Sequence, residues 1–251
     1  MYTISIIIPT YNEAENIIRL LDKIKENLSP NVFTEIIIVD DSSPDGTSSI
    51  VQNYIHSDLD SKRRNVNFKE NLYSIKIINR RIKNGLIPAI LEGVKVSKGD
   101  YVLIMDADFS HPPEMIPKII EKSLDNSNSI VIASRYAKNG SIVGWPFKRR
   151  LISKAAAVIA KFGLNVNNVT DPMSGFFAVP RPIIENLKID TKGYKILLEI
   201  LVKSKDIPIS EIPYTFMDRK SGKSKMGSSV IFDYISSVWQ LYRYGRTQQK
   251  K

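Results

Sequence analysis

A succession of short apolar runs separated by amphipathic segments constrains the fold of this chain more than any other feature of its sequence. The runs cover residues 5–8, 35–39, 74–79 and 101–105, and apolar residues recur at helical spacing after each of the first three. The second run, 35–39, is of the apolar kind that is typically buried on both faces of a parallel sheet. The alternation predicts right-handed βαβ crossovers and a mostly parallel α/β sheet flanked by helices, with ligands bound at the carboxyl ends of the strands.

Carboxylates follow two of these apolar runs directly. Asp40 and Asp41 end the second run, and Asp106 and Asp108 flank one small residue after the fourth. Two acidic groups at the ligand-binding edge of a sheet favour a hard divalent cation, and Mg²⁺ or Mn²⁺ would keep coordination positions open for phosphate oxygens. The alternative is a pair of solvated turn carboxylates, because Asp often accepts hydrogen bonds from its own turn.

The second half of the chain has a weaker periodicity. Further elements are predicted as a strand at 130–133, a helix at 151–162 that stops at Gly163, a helix at 195–203 and a strand at 209–216. In the first half, Asn12 with Glu15 is typical of a capping box that opens a helix. Residues 56–73 are mostly polar, and we interpret them as a surface insertion.

Composition and charge narrow the classes of partner. The 251 residues include no cysteine, which excludes disulfides, thiolate metal sites and a cysteine nucleophile. The formal charge is +10, and residues 126–170 hold seven Lys or Arg with no Asp or Glu, while residues 216–251 hold eight against two. Such basic stretches favour an anionic partner, whether nucleic acid, a phosphorylated substrate or an acidic membrane surface. No run of 18 apolar residues occurs, so we expect a cytosolic chain that does not span a membrane.

The last predicted helix, residues 228–244, has an apolar and aromatic arc wider than a single core stripe, with Arg243 and Arg246 at its end. Aromatic residues with terminal arginines suit an amphipathic helix that lies in a membrane interface. A terminal helix docked on the core of its own domain shows the same amphipathic pattern. Both interpretations stay open at this point.

Several motifs resemble those of a known family. Residues 6–13, IIIPTYNE, and 39–47, VDDSSPDGT, resemble signatures of family 2 glycosyltransferases. Segments similar to polyprenyl (dolichyl) phosphate mannose synthases are 106–113 (DADFSHPP), 134–136 (SRY), 171–177 (DPMSGFF), 193–199 (GYKILLE) and 219–225 (RKSGKSK). The similarity covers nearly the whole chain in order. It departs at residues 85–88, GLIP, where relatives usually have Gly-Leu-Gly.

The resemblance implies a GT-A fold whose first half holds a nucleotide-diphosphate sugar. It implies that Asp106 and Asp108 bind the metal that bridges the diphosphate, and that Arg135 and Arg219 act with them in catalysis. The substrate-binding residues that it implies are Pro9, Tyr11, Glu13, Val39, Asp41, Ala107, Ser110, Arg149, Ser224 and Lys225. Ser110 stands where some relatives carry Gln. Each Arg or Lys of the set could instead be an ordinary solvated surface charge.

The implied reaction is an inverting, metal-dependent transfer of a mannosyl residue from GDP-mannose to a polyprenyl (dolichyl) phosphate, with Mg²⁺ or Mn²⁺ as cofactor. A phosphomonoester already carries between one and two negative charges near pH 7, so it needs no strong general base. Residues 1–227 would form the catalytic domain, and residues 228–251 an amphipathic helix with a basic tail. We expect peripheral association at the cytoplasmic face of a membrane, where the basic stretches would meet anionic lipid.

Other interpretations remain open. Residues Ile142, Val143, Trp145 and Phe147 form either an apolar lip for the first isoprene units or part of the core. A UDP-glucose donor is the nearest alternative for the reaction, and transfer to a soluble sugar hydroxyl or a non-catalytic sugar-nucleotide sensor are others. A basic nucleic-acid-binding protein is disfavoured, because no binding motif interleaves the basic residues and the acidic strand ends would repel a phosphate backbone.

Overall fold

The computed structural model describes residues 2–64, 72–126, 128–190, 195–218 and 228–248. The strands are β1 Tyr2–Thr10, β2 Val32–Asp40, β3 Tyr73–Asn79, β4 Tyr101–Ile104, β5 Ile130–Ser134, β6 Ser141–Val143, β7 Phe177–Pro180, β8 Ile209–Pro213 and β9 Thr215–Met217. The helices are α1 Ile17–Glu26, α2 Thr47–Arg64, α3 Leu86–Val96, α4 Ile116–Asp125, α5 Phe147–Leu164, α6 Arg181–Asn186, α7 Ile196–Lys203 and α8 Ser228–Gln248, and a 3-10 turn at Pro113–Met115 precedes α4.

Seven strands form one sheet in the order β3-β2-β1-β4-β7-β5-β8. The first four in this order are parallel, and Ile6 of β1 lies in register with Ile36 of β2 and Leu103 of β4. Alternate side chains enter two separate cores, since Ile6 packs on one face of the sheet and Ile7 on the other. The predicted mostly parallel sheet, covered by helices on both faces, is confirmed.

One strand runs against the others. β7 lies between β4 and β5 and is antiparallel to both. The segment that leads into β7, residues 171–176, therefore arrives at the carboxyl ends of β4 and β5, where Asp106 and Arg135 follow their strands. This reversal brings the second half of the chain to the edge of the sheet where the parallel strands end.

The predicted strand at 209–216 is two strands in two sheets. β8 pairs with β5, whereas β9 pairs with β6 in a separate two-stranded sheet. Tyr214 lies at the joint, where its N–H donates to the Ser134 carbonyl at 3.1 Å and its own carbonyl accepts from Ser141 N–H at 3.0 Å. The apolar run alone carries no sign of this change of partner strand.

Three local predictions were wrong. Asn12 is not a helix N-cap: it has a left-handed φ of 60°, and α1 begins five residues later at Ile17. Residues 56–64 continue α2 instead of forming an insertion, and 65–71 lie outside the described residues. Gly163 lies inside α5, which ends at Leu164 and is capped by Asn165 in the left-handed conformation, with φ 55°.

A buried polar network lies at the end of the sheet opposite to the carboxyl ends of the parallel strands. The Ser5 hydroxyl donates to Glu35 Oε2 at 2.6 Å and accepts from Gly99 N–H at 2.9 Å. Burial by itself would raise the pKa of Glu35, but hydrogen bonds from Lys76, Ser5 and the Lys98 N–H outweigh it and hold that pKa below its ordinary value. The network fixes the turn before β4 against β1 and β2.

Gly99 is expected to tolerate no side chain. A Cβ there would lie 2.5 Å from the Ser5 amide nitrogen and 2.8 Å from the Ile4 carbonyl carbon, and backbone atoms cannot move aside as a flexible side chain can. Gly99→Ala should therefore lower the free energy of unfolding by about 1–3 kcal/mol in urea denaturation. Gly163→Ala is the matched control: nothing lies within 4 Å of its Cβ position inside α5, so it should be neutral or stabilise by up to about 1 kcal/mol. Equal effects of the two substitutions would contradict this account.

Candidate active site

Two loops at the carboxyl ends of β1 and β2 are fastened to each other. The backbone N–H groups of the first loop donate to side chains of the second, in the pairs Asn12 to Ser43 Oγ, Glu13 to Thr47 Oγ1 and Ala14 to Asp45 Oδ2, each at 3.0 Å. Asp40 adds a link within this group, because it accepts from both Thr10 and Ser43. The loops thus form one continuous wall beside the strand ends.

The predicted donor-side residues lie along this wall. Pro9 and Val39 face each other in the register of β1 and β2, and both are buried. Tyr11 follows β1, and the Lys83 ammonium lies 3.5 Å from the centre of its ring. Glu13 accepts a hydrogen bond from the Asn16 side chain at 2.9 Å. The structure therefore brings Pro9, Tyr11, Glu13 and Val39 to one edge of the sheet.

Asp41 anchors a neighbouring loop at the same edge of the sheet. Its carboxylate accepts hydrogen bonds from Arg80 Nη1 at 2.5 Å, Asn84 N–H at 3.0 Å and Gly85 N–H at 2.8 Å. These bonds hold the loop between β3 and α3 against the end of β2. The role of Asp41 as a substrate contact remains a prediction.

The Asp106 to Ser110 segment is a tight turn directly after β4. Asp108 Oδ1 accepts from the Ser110 N–H at 3.1 Å, and Phe109 between them has a left-handed φ of 60°. Ala107 and Ser110 are buried, whereas the Asp106 side chain is 42% exposed. The turn thus holds both carboxyl groups at the strand end, with that of Asp106 accessible to solvent.

His111 holds the backbone of this turn, and its imidazole is neutral. Its Nδ1 accepts the Asp106 N–H at 2.8 Å, so the ring proton is on Nε2, which lies 3.9 Å from Asp106 Oδ2. Complete burial lowers the pKa of His111, and its ring stacks on Phe176 with centroids 4.9 Å apart. A Cβ at Gly175 would lie 3.0 Å from the imidazole Cε1, so a glycine permits this close packing.

The basic centre of the site is a buried ion pair. The Arg135 side chain donates from Nε and Nη2 to the two oxygens of Asp171, at 2.7 and 2.8 Å. The backbone N–H of Arg135 donates to the same carboxylate at 3.1 Å. Glu211 holds the Asp171 loop in turn, because it accepts from the N–H groups of Thr170 and Asp171 at 2.8 and 3.0 Å. The pair is bidentate, so the position of the guanidinium is well fixed.

A second arginine lies close by. Arg149 of α5 pairs with Asp218 at 3.1 Å, and its guanidinium carbon lies 4.1 Å from the centre of the Trp145 ring. Arg135 lies 5.6 Å from the same ring. Trp145 is buried, while Val143 and Phe147 on either side of it are exposed, so residues 142–147 divide between core and surface.

Lys195 at the start of α7 also belongs to this group of charges. Burial lowers its pKa to about 8, and the positive charge of Arg135 acts in the same direction, whereas Asp171 and Asp106 oppose it. Lys195 therefore lies within the electrostatic range of the ion pair and of the Asp106 turn. It stands in the GYKILLE motif, but sequence reasoning gave it no role, because a lysine at a helix start is usually solvated.

Sequence reasoning also missed His111 and Asp171, although both stand inside the quoted motifs. Their roles depend on pairing with Asp106 and Arg135, and the Arg135–Asp171 pair spans 36 positions of sequence. Three predicted site residues lie outside the described residues: Arg219, predicted to act in catalysis, and Ser224 and Lys225, predicted to bind substrate.

The residues present fit a hard divalent cation that is bound partly by the protein and partly by water and substrate phosphates. Among the described residues, no three His, Asp or Glu side chains are grouped to enclose a metal. Mg²⁺ and Mn²⁺ are commonly bound by one or two carboxylates, with water and substrate phosphates completing the shell. Asp106 and Asp108 on one turn would supply those two carboxylates.

The buried ion pair generates a stability prediction. Asp171→Asn removes the negative charge from a fully buried partner of Arg135, so it should lower the free energy of unfolding by about 3 kcal/mol or more in denaturant titrations. Asp218→Asn is the matched control, because its pair with Arg149 is partly exposed to solvent and should contribute about 1 kcal/mol or less. An Asp171→Asn protein as stable as the control would show that the pair does not organise the site.

Comparison with solved structures gives the type of fold. The fold resembles that of glucosyl-3-phosphoglycerate synthase from Mycobacterium tuberculosis, with a TM-score of 0.70, 17% identity, and coverage of 96% of this chain and 80% of that one. A second structure of that protein gives a TM-score of 0.69 with 18% identity, covering 96% and 78%. These structures and the mostly parallel sheet show that the fold is of the GT-A type.

The family follows from the sequence comparisons. The model named Glycosyl transferase family 2 matches residues 5–187, and this chain belongs to that family. It is 40% identical over 242 residues to the Dolichol-phosphate mannosyltransferase of Pyrococcus furiosus, an alignment that covers 96% of this chain but only 64% of that protein. It is 35% identical over 249 residues to the protein of the same name from Saccharomyces cerevisiae, covering 95% of this chain and 86% of that one.

Proposed function

We propose that this enzyme transfers a mannosyl residue from GDP-mannose to a polyprenyl (dolichyl) phosphate. The observation that carries the proposal is the fixed guanidinium of Arg135, which acts electrostatically on the same buried His111 as the carboxylates of Asp106 and Asp108 do. This arrangement suits two phosphorylated substrates. The name of the relatives, with alignments over 95–96% of this chain, supports the mannosyl donor and the lipid acceptor.

On the donor side, Asp106 and Asp108 would hold Mg²⁺ or Mn²⁺, and the wall of loops after β1 and β2 would border the nucleoside. A cation held there would supply positive charge to the departing nucleotide diphosphate. The chain's own part is to hold both carboxylates on one short turn, which the hydrogen bond from Ser110 to Asp108 and that from Asp106 to His111 accomplish. The structures of the mycobacterial synthase that carry Mn²⁺ and a sugar nucleotide belong to the same fold.

On the acceptor side, Arg135 and Lys195 would offset the repulsion between the lipid phosphate and the donor. A phosphate oxygen attacks the anomeric carbon, the new C–O bond forms as the bond to the diphosphate breaks, and GDP leaves with the electron pair. The configuration inverts because this is a single displacement. The phosphate brings its own negative charge, so no proton has to be removed.

The state of the buried groups favours a phosphate over a sugar hydroxyl as the nucleophile. A hydroxyl would need a general base, yet His111 uses Nδ1 to accept the Asp106 N–H, and both oxygens of Asp171 accept from Arg135. Both groups are committed to hydrogen bonds within the protein. Neither group is therefore available as the base, and the proposed phosphate acceptor needs none, so fixed charges would stabilise the transition state.

We also propose peripheral contact with a membrane through α5 and α8, which pack against each other. Leu241 and Val238 of α8 pack into the core, so the helix docks on the domain with one face. Large apolar side chains are exposed elsewhere on the two helices, namely Phe147, Leu151, Ile152, Val158, Ile159, Phe162, Ile235, Trp239 and Tyr242. In the described residues, no helix is both long and apolar enough to cross a bilayer.

The charges around this apolar face suit anionic lipid at the cytoplasmic face of a membrane. Arg243 and Arg246 lie over the rings of Trp239 and Tyr242, at 4.8 and 5.8 Å. Aromatic rings and arginines together are typical of helices at the level of lipid headgroups. We therefore assign residues 228–251 to membrane association and residues 1–227 to the catalytic domain.

Transfer of radiolabelled mannose from GDP-mannose into an organic-extractable lipid tests the reaction. Transfer should require polyprenyl phosphate and Mg²⁺ or Mn²⁺, and EDTA should abolish it. Asp108→Asn should reduce the rate by on the order of 100-fold or more, because it weakens cation binding and thereby the stabilisation of the departing diphosphate. Asp125→Asn, on the exposed last turn of α4, is the matched control and should retain the wild-type rate.

Two results of this assay would contradict the proposal. Label entering the lipid from UDP-glucose but not from GDP-mannose would identify a glucosyl donor. Full activity of Asp108→Asn in EDTA would exclude the metal role of the turn.

Co-sedimentation with vesicles of phosphatidylserine and phosphatidylcholine tests the membrane surface. Phe162 and Trp239 are 76% and 60% exposed, so changing either to Ser should leave the fold intact. Each change should weaken vesicle binding by roughly tenfold, because an apolar side chain no longer enters the interface. Leu124→Ser on α4 removes an exposed apolar residue from another helix and should have no effect. Equal binding by all three variants would rule out this face.

A further inference from the structure

Tyr214 is a residue to which neither the sequence motifs nor the proposed mechanism gives a role. It lies at the joint between β8 and β9, where backbone hydrogen bonds to Ser134 and from Ser141 fix it between the two sheets. Its side chain is buried, with the whole residue only 4% exposed. The backbone therefore holds the phenol ring in one place inside the protein.

The surroundings of this ring are those of the candidate active site. The ring meets His111 edge-on at 6.4 Å between centroids and Phe176 at 6.0 Å. Burial raises the pKa of Tyr214, the charge of Arg135 opposes this rise, and the charges of Asp171, Asp106 and Asp108 add to it. The phenol therefore keeps its proton at neutral pH. It lies within the electrostatic range of Arg135 on the proposed acceptor side and of Asp106 and Asp108 on the proposed donor side.

The hydroxyl has no hydrogen-bond partner among the residues that the structure describes. A buried polar group without a partner destabilises a folded protein, and a phenylalanine would fill the same space without that penalty. Two other buried donors in the same neighbourhood, Trp145 Nε1 and Arg149 Nε, also lack partners in the described part of the chain. The guanidinium carbons of Arg135 and Arg149 lie 5.6 and 4.1 Å from the centre of the Trp145 ring, so both arginines adjoin the same buried side chain.

We propose that the Tyr214 hydroxyl donates a hydrogen bond to a phosphate oxygen of the acceptor, beside Arg135. The inference rests on the proposed function and adds a binding residue to it. Arg135 gives Nε and Nη2 to Asp171, which leaves Nη1 to face an anion. A neutral phenol complements that group, because a phosphate oxygen accepts from O–H donors and from guanidinium alike. The donor sugar offers hydroxyl groups instead, and the test separates the two.

Tyr214→Phe removes only the hydroxyl, and Tyr2→Phe is its matched control. Tyr2 also has a buried hydroxyl with no partner among the described residues, but it packs near Tyr101 at the opposite end of the sheet. Both variants should melt at or above the wild-type temperature, because each loses an unsatisfied group. Only Tyr214→Phe should raise the KM for a short-chain isoprenoid phosphate, by roughly tenfold, with the KM for GDP-mannose and the affinity for GDP with Mn²⁺ unchanged.

A binding measurement without turnover separates this inference from the proposed reaction. Inorganic phosphate should raise the melting temperature of the wild type and of Tyr2→Phe more than that of Tyr214→Phe. An unchanged KM for the isoprenoid phosphate in Tyr214→Phe, or a rise in the KM for GDP-mannose instead, would overturn the assignment. A wild-type protein that shows the phosphate shift but transfers no mannose would refute the reaction while retaining the anion contact.

Discussion

The buried pair of Arg135 and Asp171 is the interaction on which the arrangement of the site depends. A guanidinium taken out of water needs a carboxylate with good geometry, and here both oxygens and two guanidinium nitrogens take part. The pair joins the end of β5 to the segment before β7, and Glu211 of β8 holds the Asp171 loop from the other side. Three elements distant in sequence thus meet at one fixed positive group.

The chemistry of the site follows from how its polar groups are occupied. His111 is neutral and bonded to the backbone of the Asp106 turn, and Asp171 is bound to Arg135, so neither is available to move a proton. The remaining groups are cations and carboxylates held in place. In the proposed reaction such a site would act through preorganised charge, which suits a nucleophile that arrives already ionised.

Much of the fold can be predicted from the sequence because parallel strands buried on both faces appear as continuous apolar runs. The strands at 5–8, 35–39, 74–79 and 101–105 were predicted to within a few residues. Errors occurred where local signals compete with tertiary contacts. Residues 56–64 are polar yet helical because α2 is only half-buried, and the run at 209–216 changes sheets at Tyr214 because Ser134 and Ser141 bind its backbone from two sides.

The sequence by itself determined the layered sheet through its local periodicity, and it placed the carboxylates at the end of β4. Its net charge favoured an anionic partner. Only the tertiary structure decided that β7 runs antiparallel between β4 and β5, and hence that Asp171, Lys195 and Tyr214 gather around Arg135. Hydrophobic spacing reports which residues are buried but not which buried residues face one another. Contacts that span 36 positions or more therefore appear only once the chain has folded.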